Sequence, residues 1–91
     1  MSGPHAATAR ITNKKGLHAR ASAKIVEAAA RFQSQINVTK DGQSVDARSI
    51  MGLMMLAASM GSEVTISAEG PDAGEALTAI LALCEAKFGE D

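Results

Sequence analysis

The sequence predicts an α+β fold, an open-faced sandwich in which three helices cover one face of a four-stranded antiparallel sheet. Segments of alternating apolar and polar residues are separated by segments whose apolar residues recur at helical spacing, in the order βαββαβα. Each alternating segment has one apolar and one polar face, which is typical of an antiparallel sheet with one side open to water. The apolar stripes of the three helices must then cover the other side.

The first half of the chain supplies three strands and one helix. Alternation over residues 7–12 predicts the first strand, and the polar run 13–16 predicts a turn. A helix is expected from about Ala19 to Phe32, with Ala21, Ile25, Ala28 and Phe32 forming its apolar stripe. Ile36 and Val38 mark the second strand. The dipeptide Asp41-Gly42 then predicts a hairpin into a short third strand over residues 44–47.

The second half supplies two helices around one strand. Ser49 can cap a short helix, and residues 63–69 alternate cleanly as the fourth strand. Asp72 followed by Glu75 resembles a capping box at the start of the last helix. The buried stripe of that helix is expected to contain Leu77, Ile80, Leu81, Cys84 and Phe88. Lys87 and Gly89 suit its C-terminal end.

Length and composition exclude several classes of protein. The 91 residues predict a single domain, residues 1–91, with residues 1–5, including His5, frayed. A net charge of −1 and only two aromatic residues argue against nucleic acid binding. No segment has the features of a signal peptide or the length to span a bilayer, and Cys84 has no partner cysteine, so a cytoplasmic protein is expected. No residues have metal-ligand spacing, and neither a metal nor a cofactor is expected.

The residues that could carry chemistry lie where the first turn meets the first helix. His18 stands at the predicted helix start, where unpaired backbone N–H groups and the helix dipole favour anions such as phosphate. Arg20 adds a fixed positive charge with several donors. Neutral imidazole is a competent nucleophile near pH 7. From position alone, His18 could equally be a helix-capping or merely exposed histidine.

Two motifs identify a resemblance that favours a nucleophilic histidine at position 18 over a capping or merely exposed one. The segment Gly16-Leu17-His18-Ala19-Arg20 resembles the phosphohistidine signature of the HPr family, small carriers of the bacterial phosphoenolpyruvate-dependent phosphotransferase system. The segment Ser49-Ile50-Met51-Gly52-Leu53 resembles that family's second signature, about thirty residues further on. The resemblance extends from about Ala7 to Phe88.

The resemblance implies a phosphoryl carrier rather than an enzyme. His18 would accept a phosphoryl group on Nδ1, giving a pros-phosphohistidine, and Arg20 would assist as a cation. Phosphorylated enzyme I would be the donor and EIIA-type proteins the acceptors. Many family members have proline where this chain has Ala21, which keeps one more N–H donor at the helix start. The variant His-Ala-Arg-Ala-Ser is similar to the alphaproteobacterial, nitrogen-related branch, so the choice between that branch and sugar uptake stays open.

Ser49 and the apolar residues after it are candidates for regulation and docking. In some relatives the serine matching Ser49 is phosphorylated by HPr kinase/phosphorylase. The alternative is that Ser49 serves only as the N-cap of the second helix. The short second helix has more apolar residues than one buried stripe needs. Part of this set is expected to form a docking patch near His18, with core filling as the alternative role of any single member: Ile50, Met51, Leu53 and Met54.

Two other functions are weighed against the carrier. A regulatory binding module of the same fold, acting by docking under Ser49 control, would not need a nucleophile at position 18. A small-molecule enzyme would need a paired acid and base in a pocket, and the sequence offers no such pair.

Overall fold

The computed structural model of the chain describes residues 5–90, and its elements follow the predicted βαββαβα order. The strands are β1 (His5–Arg10), β2 (Gln35–Lys40), β3 (Gln43–Asp46) and β4 (Glu63–Glu69). The helices are α1 (Ala19–Ala29), α2 (Ile50–Met55) and α3 (Ala73–Glu85), followed by a 3-10 turn at Lys87–Gly89. None of the helices within residues 5–90 is both long and apolar enough to cross a membrane.

The four strands form one antiparallel sheet in the order β1-β4-β2-β3. The β2–β3 hairpin turns at Asp41 and Gly42, which both have positive φ, as the Asp-Gly pair predicts. Inward-facing residues of the strands are buried against the helices, among them Ile36, Val38, Val64, Ile66 and Ala68. The alternate residues face the open side. The predicted α+β open-faced sandwich is confirmed.

The predicted end of the first helix is wrong by three residues. α1 ends at Ala29, and Phe32 lies in the following loop, where it is half-buried against the core. The guanidinium of Arg48 donates to the carbonyl oxygens of Ala29, Phe32 and Ser34 and so fixes this loop. Because Arg48 is distant in sequence, no local pattern around α1 indicates this end.

The predicted capping box at α3 is also wrong. Asp72 stands at the N-cap position but makes no side-chain bond to its own helix. Its carboxylate instead accepts bonds from the backbone N–H groups of Gln33 and Ser34 and from the Ser34 hydroxyl. Asp72 therefore ties the start of α3 to the loop before β2.

Two corrections concern the chain's outer segments. His5 is the first residue of β1 and pairs with Ala68, so the prediction of a frayed segment fails for His5, and residues 1–4 lie outside the described residues. α3 ends at Glu85, before Phe88. Phe88 lies in the 3-10 turn with φ 56°, yet it is fully buried in the core.

Candidate functional site

The turn before α1 is built on Gly16. Gly16 has φ +65°, a conformation that side chains disfavour, and a Cβ there would lie 2.4 Å from the carbonyl oxygen of Ala58. The next residue, Leu17, is buried, and its N–H donates to the same Ala58 oxygen at 2.9 Å. The turn is therefore pressed against the loop after α2, which fixes where His18 begins the helix.

His18 caps α1 with its own ring. Its Nδ1 accepts from the backbone N–H of Arg20 at 3.1 Å and from that of Ala21 at 3.5 Å. An imidazole nitrogen that accepts hydrogen bonds carries a lone pair, so the proton of the neutral ring is on Nε2. The predicted helix-start position of His18 is confirmed, and the capping role leaves the lone pair of the ring on Nδ1.

Ala21 contributes a donor that proline could not supply. The N–H of Ala21 points at His18 Nδ1, and the residue's side chain is fully buried. A proline at this position has no N–H and would leave Arg20 as the single backbone donor to the ring. The alanine thus adds a group that can bind an anion at the helix start.

A carboxylate contacts the other side of the ring. Glu90 Oε2 lies 2.7 Å from His18 Nε2, within ion-pair distance, but the two groups are not aligned as a hydrogen bond. Glu90 Oε1 accepts from Asn13 Nδ2 at 3.2 Å, and the same Asn13 amide donates to the carbonyl oxygen of Gly16 at 2.8 Å. Sequence analysis missed both residues. Asn13 and Glu90 are 77 residues apart, and no sequence pattern joins them.

The environment of Glu90 favours its charged form. Burial, the largest single influence, raises the pKa of Glu90, but several favourable contacts outweigh it. The hydrogen bond from Asn13, the close contact with the His18 ring and the positive charge of Arg20 hold the pKa below its usual range. Glu90 is therefore a carboxylate at neutral pH.

Arg20 lies exposed on the first turn of α1, as predicted. Its guanidinium makes no hydrogen bond or ion pair with any other residue within the described range 5–90. Its positive charge reaches Glu90 and therefore the surroundings of His18. The group is available to bind an anion held at the helix start.

Ser49 is the N-cap of α2 and is half-buried, with its hydroxyl oxygen accepting from the N–H of Gly52 at 2.9 Å. The residues that follow include large exposed apolar side chains, with Ile50 40%, Met51 71%, Met54 41% and Met55 67% exposed. Met54 and His18 line one shallow depression of about 300 Å³. Leu53, which the sequence analysis placed in the docking patch, is fully buried and packs in the core, so that assignment is wrong.

Cys84 belongs to the core rather than to a site. It is a free thiol and 2% exposed, and burial raises its pKa to about 11. A thiol with a raised pKa is a poor nucleophile. Among residues 5–90, no three His, Cys, Asp or Glu side chains lie close enough to hold a metal ion.

Comparison with known proteins gives a consistent result. The family model described as the PTS HPr component phosphorylation site matches residues 6–86. The chain belongs to the HPr family. It is 56% identical to the phosphocarrier protein HPr of Cupriavidus necator over 80 residues, covering 88% of this chain and 90% of that protein. It is 44% identical to the phosphocarrier protein NPr of Shewanella violacea over 80 residues, covering 88% of each.

A solved structure gives the same result for the fold. The crystal structure of HPr-C-His from Thermoanaerobacter tengcongensis superposes with a TM-score of 0.92 at 50% identity, covering 96% of this chain and 98% of that one. Family membership makes the protein a phosphocarrier of the phosphotransferase system, and the resemblance identified from the two motifs is confirmed.

Proposed function

We propose that the protein accepts a phosphoryl group on Nδ1 of His18 from phosphorylated enzyme I and passes it to EIIA-type proteins. The observation that carries the proposal is the position of Nδ1 at the N-terminus of α1, with the N–H groups of Arg20 and Ala21 directed at it. The ring side chain is 24% exposed, so a partner protein can reach it. The proposal places the protein in a reducing cytoplasm, which suits the free thiol of Cys84.

The transfer needs no proton movement on the ring. The Nδ1 lone pair forms the new N–P bond, the bond between phosphorus and the donor breaks, and the proton stays on Nε2. The contact from the Ala21 N–H is long at 3.5 Å, and both N–H groups give up the Nδ1 lone pair as the N–P bond forms, with the ring kept in place. Those N–H groups can then donate to the phosphoryl oxygens, as helix N-termini do for anions.

Arg20 supplies the positive charge in this proposal. Its exposed guanidinium has no competing partner among the described residues, and it follows His18 by two positions on the same helix turn. An arginine fork pairs well with phosphoryl oxygens. The helix dipole alone contributes about 0.3–1 kcal/mol when exposed, which stabilises the adduct without trapping it.

The docking surface proposed for both partners is formed by Ile50, Met51 and Met54 on α2, with Met55 beside them. Met54 shares the depression beside His18, so a partner seated there reaches the ring. Flexible, exposed methionines suit a surface that must fit more than one partner.

Regulation at Ser49 is the remaining part of the proposal. Ser49 precedes the exposed side chains of Ile50 and Met51, and a phosphate there would place about two negative charges in the docking surface. Phosphorylation by HPr kinase/phosphorylase is therefore expected to weaken docking of enzyme I and to slow phosphorylation of His18.

The decisive experiment is incubation with enzyme I and phosphoenolpyruvate, followed by intact-mass measurement before and after mild acid. Wild type should gain one acid-labile phosphoryl group, and His18→Ala should gain none. His5→Ala is the matched control, because His5 is exposed on β1 and should not affect uptake. An adduct that survives in His18→Ala would place the acceptor elsewhere. Absence of any adduct in wild type would favour the docking-only module.

A further inference from the structure

The 3-10 turn after α3 carries Glu90 to the ring of His18. The Glu90 carboxylate is 2.7 Å from Nε2, and its side chain is only 12% exposed. This carboxylate is on the opposite side of the ring from Nδ1, the nitrogen that accepts from the N–H groups of α1. The imidazole is therefore contacted at both nitrogens, by two separate segments of the chain.

Contacts from two other segments hold the Glu90 segment in place. Asn13, which is fully buried in the turn before α1, donates to Glu90 Oε1 at 3.2 Å. Lys24 on α1 donates to the carbonyl oxygen of Phe88, and the Phe88 ring is fully buried. The position of the carboxylate is thus set by contacts to the same turn and the same helix that carry His18.

The backbone before Glu90 adopts a conformation that is rare for its residues. Lys87 and Phe88 have φ of 55° and 56°, in the left-handed region that residues with a Cβ disfavour. Such strain persists only where the surroundings impose it, and it is concentrated at functional sites. Here the burial of Phe88 and the Lys24 contact impose it, and the result is that Glu90 faces His18.

We propose that Glu90 is a positioning residue for phosphoryl transfer, which accepts the Nε2–H of His18 and so presents the Nδ1 lone pair to the phosphoryl group. This inference rests on the proposed function, since it takes His18 as the acceptor. When the N–P bond forms at Nδ1, the proton stays on Nε2 and the ring becomes positively charged. The Glu90 carboxylate then lies against that positive charge. The low pKa of Glu90 supports this role, because the carboxylate is ionised when transfer occurs.

The relation resembles that of a catalytic base and the carboxylate that orients it. A carboxylate behind an imidazole fixes the tautomer and stabilises the cationic ring without taking the proton. Asn13 stands behind Glu90 in turn and links it to the carbonyl of Gly16, directly before the His18 segment.

Two measurements on the same variants test the proposal. The first is ¹⁵N and ¹H NMR of the unphosphorylated His18 ring, which reports the Nε2–H proton and its exchange with water. The second is the initial rate of phosphoryl uptake from enzyme I and phosphoenolpyruvate. The variants are Glu90→Gln, Glu90→Ala and the matched control Glu85→Gln, which removes an exposed carboxylate at the end of α3.

Wild type and Glu85→Gln should show a slowly exchanging Nε2–H and similar uptake rates. Glu90→Ala should lose the protected signal and take up phosphoryl about tenfold more slowly, because the ring is no longer held in one orientation. Glu90→Gln keeps the shape and one acceptor oxygen, so it should retain part of the protection and an intermediate rate. Because Glu90→Gln keeps the size of the side chain, it tests the role of the carboxylate even if Glu90→Ala fails to fold.

Each other outcome overturns the proposal in a distinct way. A Glu90→Ala protein with a protected Nε2–H shows that Glu90 does not hold the ring. A mobile ring with a wild-type uptake rate shows that holding the ring is irrelevant to transfer. If wild type itself takes up no phosphoryl group, the proposed function fails and the role in transfer fails with it. The NMR comparison then still shows whether Glu90 orders His18.

Discussion

Replacing Gly16 by alanine tests how tightly the turn before His18 is fixed against the loop after α2. Gly16 has φ +65°, and an added Cβ would lie 2.4 Å from Ala58 O and 2.8 Å from Ser59 Cα. Both contacts are with backbone atoms, so one of the two segments must move. The hydrogen bond from Leu17 N–H to Ala58 O lies directly at the clash.

The expected cost follows from two contributions. A left-handed residue with a Cβ costs about 1–2 kcal/mol, of which roughly 0.4–1 kcal/mol is offset by a stiffer unfolded chain. Loss of the buried bond to Ala58 adds about 1–3 kcal/mol. Gly16→Ala should therefore lower the free energy of unfolding by roughly 2–4 kcal/mol. For a chain of this size that corresponds to a fall in Tm of roughly 8–30 °C.

Gly42→Ala is the matched control for the contact. Gly42 has φ +82° in the β2–β3 turn, but no heavy atom lies within 4 Å of the added Cβ. This variant bears only the conformational cost, about 1 kcal/mol. Urea unfolding followed by circular dichroism measures both variants. Equal losses for Gly16→Ala and Gly42→Ala would refute the argument, because the close approach to Ala58 would then have no energetic weight.

Three further outcomes are expected. Ser49→Asp should slow phosphoryl uptake from enzyme I about tenfold. The control Ser44→Asp adds the same charge on exposed β3 and should leave the uptake rate unchanged. If Ser49→Asp took up phosphoryl as fast as wild type, regulation at Ser49 would be refuted. Met51→Gln should raise the KM for enzyme I roughly fivefold, equivalent to about 1 kcal/mol of binding free energy. Because Met51 is 71% exposed, the free energy of unfolding should change by no more than about 0.5 kcal/mol. An unchanged KM would exclude Met51 from docking. Hydrogen bonds from Ser34 and from the N–H of Gln33 lower the pKa of Asp72 below its usual value of 3.8. The ionised carboxylate therefore stabilises the fold at pH values above 3.8, and this stabilisation is lost as the pH falls through the lower folded-state pKa. Wild type should thus exceed Asp72→Asn in stability at pH 7 and lose that advantage as the pH falls below 3.8. A gap that does not change with pH would contradict this.

Most of the fold follows from local periodicity. The strand predicted over residues 63–69 has the bounds of β4, and the Asp41-Gly42 turn forms the hairpin expected of it. These elements are predictable because alternation and turn chemistry act within a few residues. The errors occur where a distant residue decides the outcome. Arg48 fixes the loop after α1, and Ser34 takes the carboxylate that would otherwise cap α3.

The site divides in the same way. Helix position, charge and motif are local, so His18 and Arg20 could be identified as candidates from the sequence. Glu90 could not, because its approach to His18 depends on left-handed residues at 87 and 88 and on the burial of Phe88. Leu53 was misassigned for the opposite reason. Composition shows that α2 has excess apolar residues, but only the packing of the helix shows which of them face solvent.

The strand order β1-β4-β2-β3 has a consequence for how the chain folds. Among residues 5–90, β1 pairs with β4 alone, so the first strand can join the sheet only after residues 63–69 are available. The β2–β3 hairpin, by contrast, closes within a few residues and can form early. Closure of so long a segment carries an entropic cost that must be met before the contacts form, and it slows folding. The turn that bears His18 follows β1, so the proposed phosphoryl site should be among the last parts of the molecule to assemble.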